Sequence, residues 1–442
     1  MSATDKLSLS ERAHRAIPGG AQTYSKGDDQ FPANAPEFIV RGEGCRVWDP
    51  AGREFIDWGM GLRTAILGHA HPRVVRAVVD AVERGSNFTR PSPVECELAE
   101  LLIDLIPSAE MVKFAKNGSD ATTAAVRLAR AATGRDLVAM PAEQPFYSFD
   151  DWFVGTTVVD AGVPEAVKRL SRTFSYGDLG SLERLFAEEG DRIAAVVMEA
   201  ATDSEPPPGY LDGVRALTRE HGALLVFDEM ITGFRWHLRG AQAFYGVTPD
   251  LATFGKAIGN GFSVAALVGR RDVLELGGLH HDRARVFLLS ATHGGEIHSL
   301  VAARETIAEL RERDGIEQIW DVGAKLQQGL RNALDAAGLD RVVGCAGYPC
   351  SPVVTFGSGD SLLDAQLRTL FLQETVRRGV LIPYIAPSLA HTDDDVSATV
   401  EAAAEALELV AGAHRRGEVA EQLEGPAVKP VFRRYNAIEL DA

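Results

Sequence analysis

Three features of the sequence carry residue types suited to chemistry at the edge of a sheet. An apolar run, Ala223-Leu224-Leu225-Val226-Phe227, ends abruptly in Asp228-Glu229. A single lysine, Lys256, is framed by glycines in Gly255-Lys256-Ala257-Ile258-Gly259-Asn260-Gly261. Upstream, Gly118-Ser119-Asp120 opens the helical pattern "SDATTAAVRLARAATG". A carboxylate at the C-terminal end of a buried strand lies where open α/β sheets bind ligands. Glycines let the backbone approach a ligand closely. A helix start offers unpaired N–H groups and the positive end of a dipole, which suit a phosphate.

Each feature alone has an ordinary explanation. A strand-end aspartate is usually structural, a loop lysine usually lies at the surface, and Ser119 is a favoured type of helix N-cap. Together, an amine, a carboxylate and a phosphate cradle are what pyridoxal 5′-phosphate (PLP) requires. Lys256 would bind its aldehyde carbon, Asp228 would pair with its protonated pyridine nitrogen, and Gly118-Ser119 would hold its phosphate. Other chemistries fit less well. No G-x-G-x-x-G follows a strand, and Gly255-Lys256 lacks the upstream glycine and following Ser/Thr of a P-loop. Gly261-Phe262-Ser263-Val264-Ala265 is like a nucleophile elbow without its final glycine. His293, Glu296 and His298 stand close in "HGGEIH" but lack a clear set of further ligands, so no metal is expected.

The elements that must position these residues are legible in the periodicity. "MVKFA", "DLVAM", "IAAVVME" and "ALLVFDE" read as short strands separated by helices such as "SLERLFAEEG" and "LDGVRALTREHG". Strands alternating with helices imply βαβ units and a mostly parallel sheet. Continuous apolar strands fit a sheet covered on both faces. Before this region, a short helix ends at "IPGG", and "FIVRGEGCRVWDPAGREFIDWG" suggests a β-hairpin or meander around Asp49-Pro50-Ala51-Gly52. After it come a long helix in "HSLVAARETIAELRERDG", the strand "SPVVTF" and three further helical stretches. The expected division is an N-terminal segment (1–65), a large domain (66–314) and a small α+β domain (315–442).

Bulk properties limit the function classes. The chain has 442 residues, with 45% apolar and 24% charged residues, as a globular protein of two or three domains would. A formal net charge of -17 disfavours phosphate backbones, so no nucleic-acid partner is expected. None of Cys45, Cys96, Cys345 and Cys350 pairs at C-x-x-C spacing. Four cysteines in a long chain fit a reducing cytoplasm. The N-terminus lacks the apolar core of a signal peptide, and no run approaches the roughly 20 apolar residues of a membrane helix.

With these residues in place, the segment "LLVFDEMITGFR…YGVTPDLATFGKAIGNGFSVAALVG" resembles the lysine signature of class III aminotransferases of PLP fold type I. Within that class the pattern is most similar to the glutamate-1-semialdehyde 2,1-aminomutase subfamily. "RGEGCRVWDPAGREFIDWGMGLRTAILGHAHP", "RLARAATGRD" and "SATHGGEIHSLVAA" extend the resemblance over nearly the whole chain. The resemblance implies a large domain with a mostly parallel, seven-stranded sheet and a smaller C-terminal domain. It implies that Lys256 carries the cofactor, Asp228 pairs with its ring nitrogen, and Gly118 and Ser119 belong to the phosphate loop. It also places Met230 and Phe146 against the two faces of the ring and Glu199 in the pocket. Thr292 would reach the phosphate of the neighbouring subunit in a homodimer.

The chain departs from that subfamily at three places. Phe146-Tyr147-Ser148 replaces a Tyr-His-Gly around the stacking aromatic. Lys116-Asn117-Gly118-Ser119 replaces an Asn-Ser-Gly-Thr. Lys26, in "TYSKGDDQFP", stands where the mutase has a substrate-binding arginine, and lysine lacks arginine's planar fork. The expected activity is therefore transfer of an amino group from an amino acid donor such as glutamate to a carbonyl acceptor, with a keto-sugar or keto-cyclitol as the expected acceptor. Intramolecular transfer by an aminomutase is the alternative, followed by a non-catalytic PLP-fold module.

Overall fold

The computed structural model describes residues 7–144, 146–201 and 203–434. The chain divides into two compact units. One contains Gly61–Ile319; the other joins the described residues up to Met60 with those from Trp320 onward.

The Gly61–Ile319 unit is built on a seven-stranded sheet. Its strands are β1 (Met111–Ala115), β2 (Leu137–Pro141), β3 (Ser171–Phe174), β4 (Ile193–Met198), β5 (Leu224–Glu229), β6 (Leu251–Phe254) and β7 (Ala265–Gly269). Their spatial order is β1-β7-β6-β5-β4-β2-β3. Neighbouring strands from β6 to β3 pair in parallel, while β7 runs antiparallel to both β6 and β1. Every residue of β2, β4, β5, β6 and β7 is buried, as the unbroken apolar runs require when helices cover both faces. The edge strand β1 exposes Lys113, a charge that discourages pairing with another sheet.

Strands β3, β6 and β7 are not picked out by the sequence pattern. Leu251–Phe254 and Ser171–Phe174 are four residues each, too short for a periodicity to emerge, and β7 follows directly on the glycine-rich loop. The helix Gly118–Thr133 forms as expected and ends at Gly134, whose φ of 70° is the left-handed conformation that glycine adopts without strain. Its N-cap, however, is Asn117 and not Ser119: Asn117 Oδ1 accepts the Asp120 N–H at 3.0 Å. Starting the helix two residues earlier puts Ser119 inside the first turn, where it is buried.

In the other unit, Arg41–Glu43, Arg46–Trp48 and Glu54–Asp57 form the expected antiparallel meander. The turn between the last two closes by the Gly52 N–H to the Asp49 carbonyl at 3.0 Å. Glu54–Asp57 then pairs in parallel with Val380–Leu381. The residues expected to stand as a separate N-terminal segment thus share a sheet with the C-terminal region. Sequence periodicity cannot show a pairing between strands more than 300 residues apart. Helices Gly315–Ala337, Ser361–Arg377 and Asp393–Arg416 complete the C-terminal elements, with Trp58, Phe371 and Leu407 in their shared core. Among the described residues no helix is long and apolar enough to cross a membrane.

Candidate active site

The alternation of side chains along a strand explains the abrupt Asp228-Glu229 pair. Both are buried, at 2% and 0% exposure, but they serve opposite sides of β5. Glu229 accepts from the backbone N–H groups of Ala241 (2.6 Å) and Gln242 (3.0 Å) and from Thr232 Oγ1 (2.7 Å). It ties down the loop that leaves the strand. Asp228 Oδ1 accepts from the Met230 N–H at 3.0 Å and from Thr253 Oγ1 at 3.1 Å. Both bonds fall on one oxygen, so Oδ2 is left for a further donor.

Lys256 begins a short 3-10 turn, Lys256–Gly259, directly after β6, and has a φ of 45°. Lys256 is half-buried, and desolvation depresses its pKa against the opposing pull of Asp228 and Glu199. The depression favours the neutral amine, the form that can attack a carbonyl carbon or take a proton. Burial raises Asp228 to about 6, although the nearby Lys256 and its hydrogen bonds pull the other way. Glu199, 7% exposed at the end of β4, is pushed up to about 8 by burial and then by the charge of Asp228. Three titratable groups displaced from their ordinary values in one buried place are the mark of a functional site.

The glycines around Lys256 and at the helix start answer to Met230. A Cβ on Gly255 would sit 2.4 Å from Met230 Sδ, and one on Gly118 would sit 3.0 Å from it. The φ of Gly255 is -172°, ordinary extended backbone, so glycine is needed there for space. Met230 therefore lies between the Lys256 loop and the first turn of the helix Gly118–Thr133. Ser119 Oγ accepts the Phe149 N–H at 3.1 Å and fixes the loop that follows β2 to that turn.

That loop holds two aromatics. Phe146 is half exposed and packs edge-on against Phe153, with ring centroids 5.8 Å apart. Tyr147 is buried, and its hydroxyl donates to Gln144 Oε1. Gln144 in turn holds the backbone of Glu199: its Nε2 donates to the Glu199 carbonyl at 3.0 Å, and its Oε1 accepts the Glu199 N–H at 2.9 Å. Burial, followed by the charges of Glu199 and Asp228, raises the Tyr147 pKa well above its ordinary value.

The structure thus brings together Asp228, Lys256, Glu199, Met230 and Gly118. Thr292 is exposed, and its carbonyl accepts from Asn87 Nδ2 at 3.1 Å. Lys26 lies in the other unit, in the short turn Tyr24–Lys26. His293, Glu296 and His298 come together around the carboxylate: His293 Nδ1 and His298 Nε2 lie 2.8 and 3.6 Å from Glu296, which also meets Lys116 Nζ at 2.8 Å. Sequence reasoning passed over Thr253, Gln144, Tyr147, Arg63, Arg235 and Asn260. Thr253 alone carried a signal, since it lies three residues before Lys256.

This chemistry fits PLP. An acid with one oxygen uncommitted, a lysine biased toward the free amine, and a sulfur-lined wall that leaves no room for a Cβ at two glycines form a matched set. The chain belongs to the class III aminotransferase family, whose profile matches residues 29–407. Its fold is that of PLP-dependent transaminases, and the protein is a PLP-dependent enzyme of that class. Among relatives of known name it is 36% identical over 431 residues to the glutamate-1-semialdehyde 2,1-aminomutase of Syntrophobacter fumaroxidans, covering 90% of this chain and 96% of the relative. It is similar to the FumI protein of Sphingopyxis sp. MTA144 in its PLP internal aldimine form, with a TM-score of 0.83, 29% identity, and coverage of 92% and 96%. An omega-transaminase from Sphaerobacter thermophilus matches with a TM-score of 0.83 and 27% identity, over 92% of this chain and 98% of the other.

Proposed function

We propose that the enzyme moves an amino group between neighbouring carbons of one small molecule, as a glutamate-1-semialdehyde 2,1-aminomutase. The names of the relatives at 33–37% identity support this reading over a keto-sugar or keto-cyclitol acceptor. The observation that carries the chemistry is the buried grouping of Lys256 with Asp228 and Glu199.

In this reading Lys256 Nζ would hold PLP covalently, and Asp228 Oδ2 would bind its ring nitrogen. The first turn at Gly118 and Ser119 would bind its phosphate, Met230 would pack on one face of the ring, and Phe146 or Tyr147 on the other. Bound PLP supplies an electron-withdrawing ring that acidifies the carbon bearing the amine. Lys256 Nζ would take the proton from that carbon and return it elsewhere, acting as base and then acid. The charge of Asp228 would keep the ring nitrogen protonated. Glu199, protonated near neutral pH, offers an O–H donor to the pocket. A homodimer in which Thr292 serves the neighbouring site, and a cytoplasmic location, belong to the same reading.

Transfer between two molecules is a second reading. The omega-transaminase likeness and Lys26 in place of a substrate-binding arginine favour it. One experiment separates the two. Holoenzyme is incubated with glutamate alone, and separately with glutamate-1-semialdehyde alone. Isomerisation of the semialdehyde with no 2-oxoglutarate from glutamate supports the mutase. Stoichiometric 2-oxoglutarate with conversion to the pyridoxamine form, and no isomerisation, overturns it in favour of the transaminase.

A further inference from the structure

Lys116 is held at both its side chain and its backbone. It follows directly on β1 and precedes Asn117, the N-cap of the helix Gly118–Thr133. Its Nζ lies 2.8 Å from Glu296 Oε2 and donates to Ser299 Oγ at 2.9 Å. Its carbonyl accepts from Ser263 Oγ at 2.6 Å. The side chains of Lys116 and Glu296 are each 19% exposed. Ion pairs in open solvent contribute little, but shielding from water strengthens them. Glu296 is itself braced, with His293 Nδ1 at 2.8 Å and His298 Nε2 at 3.6 Å. The hydrogen bond from Lys116 holds the Glu296 carboxyl below its ordinary pKa.

These contacts join three stretches of chain. Ser263 lies seven residues beyond Lys256 and two before β7, whose Ala265 pairs with Ala115 of β1. Glu296 is the N-cap of the helix Ile297–Glu312, and Ser299 stands in its first turn. Just before that helix the backbone runs close to β1, since a Cβ on Gly294 would sit 3.5 Å from the Phe114 carbonyl. Lys116 thus fastens the start of the helix Gly118–Thr133 both to the stretch that follows Lys256 and to the segment 292–296.

We propose that Lys116 is a positioning residue for the cofactor, fixing the phosphate-binding turn at the separation from Lys256 that PLP requires. PLP is a small, stiff molecule gripped at two points, by the lysine at its aldehyde and by the turn at its phosphate. A turn free to shift loses the second grip while the first is kept. Holding the turn in advance removes the cost of ordering it from the binding step. The proposal rests on the reading that Gly118 and Ser119 hold the phosphate. It gives a physical role to a lysine that stands where the subfamily has asparagine.

The test titrates the full-length, cofactor-free protein with PLP and, separately, with pyridoxal, which carries the aldehyde but no phosphate. Absorbance of the lysine adduct reports both affinities. Lys116→Met should bind PLP about tenfold more weakly, at the lower end of what losing a supporting contact costs at metal sites. Its pyridoxal affinity should be unchanged. Lys116→Arg, which keeps a cation for Glu296, should retain most of the PLP affinity. Ser263→Ala, which frees the Lys116 carbonyl, should shift PLP alone in the same direction, and it decides the matter if Lys116→Met does not fold. Unchanged PLP affinity in Lys116→Met overturns the proposal. Equal losses for PLP and pyridoxal also overturn it, because a general disturbance of the site would not single out the phosphate. Ser119→Asp places a carboxylate in the turn and should weaken PLP but not pyridoxal. Unchanged PLP affinity in that variant defeats the assignment of the phosphate to the turn, a failure distinct from that of Lys116.

Discussion

Asp228 and Thr253 lie directly opposite each other across the parallel strands β5 and β6, and the threonine hydroxyl donates to the carboxylate at 3.1 Å. Three residues after Thr253 comes Lys256. The strand that orients the acid is thus the strand that delivers the amine. One register error between β5 and β6 would turn these side chains to the opposite face and abolish the site.

Lys256→Ala removes the amine while leaving Asp228 and the glycine cradle in place. The variant should bind PLP without the covalent chromophore and give no borohydride-labelled peptide. Turnover should fall by about three orders of magnitude, within the range for a lost acid–base group. Absorbance spectroscopy and peptide mapping check both outcomes.

Asp228→Asn keeps the shape of the side chain and removes its charge. The holoenzyme should still form, with turnover lowered by about two to three orders of magnitude, as for removal of a preorganised electrostatic partner. Thr253→Val should have a smaller effect in the same direction, because Asp228 retains the Met230 N–H. Steady-state kinetics on the two variants gives the ranking.

The raised acids make the stability of the cofactor-free protein depend on pH. Glu199 holds its proton up to about 8 when folded, against an ordinary value of 4.5. Between those values the folded state binds more protons than the unfolded state, so stability falls as pH rises. Asp228 acts in the same sense between 3.8 and about 6. Lys256, whose pKa is depressed, acts in the opposite sense at higher pH. Glu199→Gln should therefore flatten the decline between pH 5 and 8, which has a slope of at most about 1.4 kcal/mol per pH unit for one proton. Urea unfolding across that range measures it.

Met230 and Gly255 should show strong coupling. Gly255→Ala places a methyl 2.4 Å from the present position of Met230 Sδ and forces that side chain out of place. PLP affinity should drop at least tenfold, and Met230→Ala in the same chain should restore much of the loss. A double-mutant cycle on cofactor titration measures the coupling. Gly118→Ala, at 3.0 Å from the flexible end of the same side chain, should be milder.

Asn260→Ala breaks both hydrogen bonds to the Leu67–Gly68 backbone and puts alanine at a φ of 43°. The cost should be about 2–4 kcal/mol, from two buried backbone groups left unpaired and a strained residue. Asn260→Asp should keep the contact to the Leu67 N–H and lose the one to Gly68. Denaturant midpoints for the two variants test the order.

The sequence by itself determined the chemistry and most of the scaffold. Asp228 was visible because a charge ending an apolar strand stands out, and Lys256 because glycines on both sides mark a close approach. The helix Gly118–Thr133 and strands β4 and β5 were legible because long or uniformly apolar stretches have a clear period. What the tertiary structure alone decided is which residues surround those two. Arg63, Tyr147 and Gln144 come from distant stretches with no local pattern, and they meet only through strand order and loop packing. Short strands such as Leu251–Phe254 carry too few residues to announce themselves, yet their register sets Thr253 against Asp228. The meander near the N-terminus likewise finds its partner in Val380–Leu381 only in three dimensions. Local sequence fixes backbone preference within a few residues, whereas contacts across hundreds of residues follow from how buried surfaces are shared once the chain has folded.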